Sequence, residues 1–313
     1  LLTEIGVTQV TIPLPFRLNH VNCFIAEGEK GWTIIDAGLN TDVSREVWQP
    51  IIDQHDVKNI IITHYHPDHF GYAGTLQQLT NAEVWMTKTD ADAGLTVWEP
   101  ESAMLANENY DTCGLPGKTL SKELTTDEKS FNAKVTPYPE VNHFLEEGMK
   151  MQFGKLQYEV IFTPGHSDGL ITLFNSDHSI LFSTDHILPK ISPNISYWFR
   201  GDPNPLDSFF QSLEKVKRLN ADYVIPSHGR PFRNANNRIE ELCRHHHERL
   251  DKTYEAIKHP ATIYEVNSHL FHNLNIHETR FAIGETIAHL EYLLHNNQCK
   301  KVLINGIWYY EAI

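Results

Sequence analysis

Thr63-His64-Tyr65-His66-Pro67-Asp68-His69 is the stretch on which the reading of this chain turns. It follows Asn59-Ile60-Ile61-Ile62, an apolar run of the kind that forms a buried strand. His64, His66, Asp68 and His69 can all bind metal, and imidazole with carboxylate suits zinc, iron or manganese. His64 and His66 stand two apart, so on an extended backbone their rings point the same way. Pro67 forces a turn, after which Asp68 and His69 can face a second point nearby. The spacing therefore suggests two metal positions rather than one.

Three later segments extend the pattern: Thr163-Pro164-Gly165-His166, Ser183-Thr184-Asp185 and Pro226-Ser227-His228-Gly229. Each follows an apolar run, namely Val160-Ile161-Phe162, Ile180-Leu181-Phe182 and Tyr223-Val224-Ile225. Each candidate side chain would then sit at a strand end, where a rigid scaffold fixes it.

Taken in order, these four motifs resemble the metallo-β-lactamase superfamily over most of the first two thirds of the chain. The resemblance implies an α/β fold, a four-layer αββα sandwich over residues 1–236, with a segment at 95–125 as a helical lid or substrate wall. It implies two metal ions, zinc by default with iron or manganese as alternatives. His64, His66 and His166 would hold the first ion, Asp68, His69 and His228 the second, and Asp185 would bridge them. Asp36, in Asp36-Ala37-Gly38, would support the site from behind the ligands. The implied chemistry is hydrolysis by a metal-bridging hydroxide of an ester, thioester or lactone-type small molecule. Asp68 would orient the nucleophile or pass its proton to the leaving group, and Tyr197 would donate to an oxyanion, as a Tyr does in some lactonase members. The alternative within the same fold is a single-strand nuclease or phosphodiesterase, for which Lys190, Arg200, Arg230 and Arg233 are the basic candidates to line the cleft. His20, in the first loop, reads as a solvated histidine rather than a substrate contact.

The composition narrows the field. The chain has 313 residues, enough for one large or two modest domains. It carries 26 Lys+Arg against 40 Asp+Glu, a formal charge of −14. That balance argues against a general nucleic-acid or anionic-membrane surface. No apolar run approaches a membrane span, and the first residues lack the zones of a signal peptide. Four widely spaced cysteines form no Cys-x-x-Cys and read as reduced thiols in a cytoplasmic protein. A Gly-x-Ser-x-Gly elbow is absent, so Ser167 and Asp168 are expected to shape the loop that holds His166.

Local patterns supply the elements. Residues 7–14 alternate as an edge strand broken by prolines. Strands at 21–26 and 32–35, and at 149–153 and 156–162, form hairpins. Helices are expected over Thr41–Gln54, Gly71–Leu79 and Asp207–Leu219, and a strand over Glu83–Met86. Residues 237–313 read as a small winged-helix-like α+β domain, with helices at 238–258, from 262 and at 285–294. A hairpin turning at Asn305-Gly306 closes it. From 238 onward there are 8 Lys+Arg and 10 Asp+Glu. A DNA-reading module would be basic, so this part is expected to dock on the catalytic domain or on a second copy. His245-His246-His247 falls within a helix, where neighbouring rings fan apart and do not make a metal site.

Overall fold

The computed structural model describes residues 1–28, 30–99 and 108–313. Two six-stranded sheets lie face to face. The first has the order β1 (Val7–Pro13), β2 (His20–Gly28), β3 (Gly31–Ile35), β4 (Val57–Ile61), β5 (Glu83–Met86), β6 (Val141–Phe144). The second runs β12 (Phe232–Arg233), β11 (Tyr223–Pro226), β10 (Ile180–Thr184), β9 (Ile171–Asn175), β8 (Leu156–Phe162), β7 (Lys150–Phe153). β9 and β10 are buried along their whole length because both faces are covered. In β2, Phe24 and Ala26 point between the sheets, whereas Cys23 and Ile25 point to the outer helices. In β10, Ile180 and Phe182 face the other sheet and Leu181 faces outward.

Helices cover both outer faces and complete the αββα layering. On the first sheet lie α1 (Asp42–Ile52), α2 (Pro67–Phe70), α3 (Ala73–Thr80) and α4 (Lys88–Thr96). Thr41 caps α1 by accepting from Ser44 N at 3.3 Å. Trp48 of α1 is fully buried and donates its indole N–H to the Ala37 carbonyl at 2.8 Å. That bond ties α1 to the end of β3, beside the metal motifs. Across the molecule, α5 (Lys118–Lys129) precedes β6, and α6 (Pro205–Lys217) covers the second sheet.

The C-terminal part holds α7 (Ala235–Ala256), α8 (Ile263–Leu270) and α9 (Ile276–His295), with a sheet of order β13 (Ala261–Thr262), β15 (Ile307–Ala312), β14 (Cys299–Ile304). Asn305 and Gly306 turn the β14–β15 hairpin at φ 52° and 82°, the left-handed pair that a two-residue hairpin loop requires. One apolar cluster runs unbroken from Leu181 and Val224 of the second sheet, through Phe209 and Leu213 of α6, to Ile283 and Ile287 of α9. Of the triple histidine, His246 is buried and its two neighbours are not, as the helical fan requires. Of the segment expected as a lid at 95–125, residues 100–107 lie outside the described residues; α4 ends inside it at Thr96, residues 108–111 are helical and α5 begins at Lys118.

α9 begins well before the position at which the sequence pattern places it, at Ile276 rather than Glu285. Its start carries a full capping box: the Asn275 side chain accepts from Glu278 N, and the Glu278 carboxylate accepts from Asn275 N. Gly284 lies inside this helix, where it packs closely on the loop at 194–198. A Cβ there would lie 2.7 Å from Ser196 Oγ.

Candidate metal centre

All the motif residues converge at one edge of the sandwich, just past the ends of β3, β4, β8, β10 and β11. Three triads assemble there: His64, His66 and His166; His64, His69 and Asp185; and Asp68, His69 and His228. Within each, the ligand atoms lie within 4.8 Å of one another. Pro67 opens the short helix α2, so Asp68 and His69 reach the second triad from a helical turn.

Outer partners fix how each ring presents itself. His166 Nδ1 lies 2.7 Å from the Asn194 carbonyl, and His228 Nδ1 lies 2.6 Å from the His20 carbonyl. A carbonyl only accepts, so Nδ1 carries a hydrogen and Nε2 is the nitrogen turned inward, able to bind a cation once it gives up any proton. His69 Nδ1 donates to Asp36 Oδ2 at 2.8 Å. The Thr63 hydroxyl donates to the same oxygen at 2.9 Å and is left to accept from His64 Nδ1 at 3.1 Å. His66 is the exception, presenting Nδ1 at 2.8 Å from His166 Nε2.

The donor set fits cations. His64 Nε2, His69 Nε2, His228 Nε2 and Asp185 Oδ1 are buried with no hydrogen-bond partner among the described residues. Each such atom costs about 1–3 kcal/mol unless something positive satisfies it. Burial lowers the proton affinity of His69 and His228, but Asp185 and Asp68 outweigh it and raise both, His228 to about 10. Cations entering this site therefore displace protons. Asp185 Oδ2 stands 3.3 Å from His228 Nε2, 3.4 Å from His166 Nε2 and 3.5 Å from His69 Nε2, which is a central position between the triads.

Asp36 is the hub behind the rings. Besides His69 and the Thr63 hydroxyl, it accepts from Thr63 N at 2.9 Å, and it is 1% exposed. Its φ of 60°, like the 48° of Thr184 next to Asp185, is a strained backbone held by its surroundings at a functional site. His20 departs from the reading as a solvated loop residue. It opens β2, its carbonyl orients His228, and its Nε2 accepts from Gly229 N at 2.9 Å.

Asp90 of α4 was not legible in the sequence. Fully buried, it accepts from Tyr65 N at 3.0 Å, Ser167 Oγ at 2.7 Å and Gly169 N at 2.6 Å. It thus ties the His64–His66 loop to the His166 loop. Burial raises its carboxyl to about 6 against the hydrogen bonds that oppose it. Asp168 accepts from Asp202 N at 3.0 Å and braces the other side of the same loop.

A cleft of about 490 Å³ opens on this centre. His66, Asp68, His166 and Asp185 form its floor, and its walls are mostly apolar, with Trp98, Phe131, Trp198 and Phe281 prominent. Tyr197 is not among its lining residues; its ring packs against Phe199 at 5.8 Å, and the neighbouring Trp198 faces the cleft instead. Lys190, Arg230 and Arg233 are likewise absent from the lining, whereas Arg200 is present, joined by Arg17 and Arg280.

This fold with this site defines a metal-dependent hydrolase. Residues 17–228 match the metallo-beta-lactamase superfamily and residues 250–313 the metallo-beta-lactamase-like C-terminal domain. The chain is 23% identical over 309 residues to the probable metallo-hydrolase YqjP of Bacillus subtilis, covering 93% of each. It is 26% identical over 215 residues to hydroxyacylglutathione hydrolase GloC of Haemophilus influenzae, covering 68% of this chain and 86% of that one. A metallo-beta-lactamase family protein from Thermus thermophilus superposes with a TM-score of 0.85 at 30% identity, covering 98% of this chain and 99% of that one. The chain belongs to the metallo-beta-lactamase superfamily. No helix among the described residues is long and apolar enough to cross a membrane.

Proposed function

We propose that the chain hydrolyses a small ester, thioester or lactone-type substrate at a pair of zinc ions; iron and manganese also suit this donor set. The observation that carries this reading is the apolar cleft opening directly onto His66, Asp68, His166 and Asp185. When bound, the two ions supply a water of lowered pKa and positive charge for the oxygen on which charge develops. His64, His66 and His166 would hold one, Asp68, His69 and His228 the other, with Asp185 shared.

Asp68 is the carboxylate with a second task. Its side chain is 19% exposed against 7% for Asp185, and its Oδ2 stands 3.4 Å from His228 Nε2. An oxygen there, on the cleft floor, is placed to orient the nucleophile and to carry its proton to the leaving atom. The walls supply apolar surface for the group attached to the scissile bond. A polynucleotide would need a cationic channel. Here Arg17 and Arg280 are paired with Glu278 and Asp127, and the other walls are mostly apolar.

The test is a substrate panel on protein of measured metal content. It spans p-nitrophenyl esters, acyl-homoserine lactones, lactoyl-glutathione, bis-p-nitrophenyl phosphate and single-stranded RNA. Turnover of esters, thioesters or lactones that is lost in Asp68→Asn supports the proposal. RNA cleavage that dominates and tracks wild-type metal content overturns it.

A further inference from the structure

The far end of the cleft is built from the C-terminal part. His277, Arg280 and Phe281 of α9 line it, although they lie well beyond the last metal-motif residue in the chain. They are spaced i, i+3 and i+4, so they share one face of the helix. Arg280 is 4% exposed. Its guanidinium lies 4.7 Å from the centre of the Phe281 ring and 5.2 Å from that of Trp198. Its Nε donates to Asp127 Oδ2 at 3.0 Å, and His277 Nδ1 shares that oxygen at 3.1 Å. His277 is itself stacked on Phe16 and Phe131, with ring centres 5.2 and 5.6 Å away.

This arrangement leaves donors unspent. A guanidinium has five N–H groups, and among the described residues only Nε of Arg280 is bonded. The remaining four donors, set in aromatic walls, have no protein acceptor among the described residues and reach the cleft. Cleft water can serve them only until a substrate displaces it. At this end Arg17 meets Glu278, and the Asp127 carboxylate behind Arg280 takes only its Nε. The metal end, by contrast, presents Asp68 and Asp185.

We propose that Arg280 and the α9 face around it bind a carboxylate at the remote end of the substrate, joined to the scissile bond by an apolar stretch lying on the aromatic walls. A carboxylate matches the planar fork of the guanidinium and takes two of its donors at once. The inference rests on the reading of this cleft as the substrate site of a hydrolase, and it narrows the substrate to an acyl chain with an anionic terminus. Specificity then resides in the C-terminal part, while the chemistry resides in the sandwich.

The experiment compares two ligands of equal chain length, octanamide and the monoamide of suberic acid. Binding to the full chain is read from the fluorescence of Trp98 and Trp198, which line the cleft. The monoamide is expected to bind about tenfold more tightly, the worth of one added charge-assisted pair. Arg280→Gln should remove that preference by weakening the monoamide far more than octanamide, and Arg280→Lys should retain part of it. Equal binding of both ligands to the wild type overturns the proposal, as does a preference that survives Arg280→Gln. If that variant does not fold, the wild-type comparison still decides. Because binding is read without turnover, the preference without hydrolysis of any panel ester overturns the hydrolase reading alone. Hydrolysis without the preference overturns the carboxylate site alone.

Discussion

At one end of the cleft, seven candidate ligands arrive from just past the ends of paired strands, and outer partners orient four of the five histidine rings, all but His66. At the other end, α5, α9 and the loop before Trp198 bring together an arginine, a histidine and several aromatic rings. The first end is stiff, since each ligand lies within a few residues of a strand and the outer bonds of His64, His69, His166 and His228 go to the Thr63 hydroxyl, to Asp36 or to backbone carbonyls. The second is non-local, held by one shared carboxylate and by ring packing. Damage to the first should therefore act on rate and metal content, and damage to the second on which substrate is taken.

The largest effect is expected from Asp68→Asn. Loss of its proton-carrying oxygen should lower kcat by about 10²–10⁴-fold while KM changes little; a variant of unchanged kcat would dissolve the distinction between the two ends. Next comes Asp36→Asn, whose amide cannot accept from Thr63 and His69 as the carboxylate does. Metal affinity should fall about 10–100-fold, read by competition with a chelating dye. The same titration should release protons at neutral pH, because His69 and His228 hold them until a cation enters. Uptake without proton release would contradict the electrostatics described above.

Asp90 gives a smaller, pH-dependent effect. Its carboxyl is raised to about 6 from 3.8, so the folded state binds its proton more tightly than the unfolded state. Its contribution is full below the unfolded value and is lost as pH rises through about 6. The stability of the wild type relative to Asp90→Asn should therefore be greater at about pH 5 than at about pH 7.5, by up to about 2 kcal/mol. A difference that is flat with pH in thermal melts would refute this. Smallest of all, Tyr197→Phe should leave kcat/KM within about twofold, since its ring packs on Phe199 away from the cleft lining. A larger loss would bring Tyr197 back as a substrate contact.

The contrast between the two ends also explains what could be read in advance. The metal residues announce themselves because strand ends and ligand types coincide within short windows, and period-two burial places each ring on a known side. Asp36 is visible for the same reason, standing just past β3. Asp90 is not, because a lone Asp near the start of a polar helix is ordinarily an N-terminal charge or a solvated residue. The first half of α9 is hidden for a different reason. Residues 276–284 mix two charged residues, a His and a Gly, and only their packing against the loop at 194–198 makes Gly284 an asset. The Tyr197 and Trp198 pair shows the limit most plainly: which of two adjacent aromatic residues in a loop faces the cleft depends on contacts the loop sequence does not contain.

The sequence by itself determined the strand ends and the identities of the candidate ligands, while the layered α/β architecture was implied by the resemblance those motifs carry. The first two follow from side-chain period and from the chemistry of His and Asp, which are local properties. Only the tertiary structure decided which ring atom each histidine presents, that Asp90 joins two ligand loops, and that α9 walls the cleft. Those depend on hydrogen bonds and close packing between distant segments, 208 residues apart for His20 with His228 and 261 for Arg17 with Glu278, which no local pattern encodes.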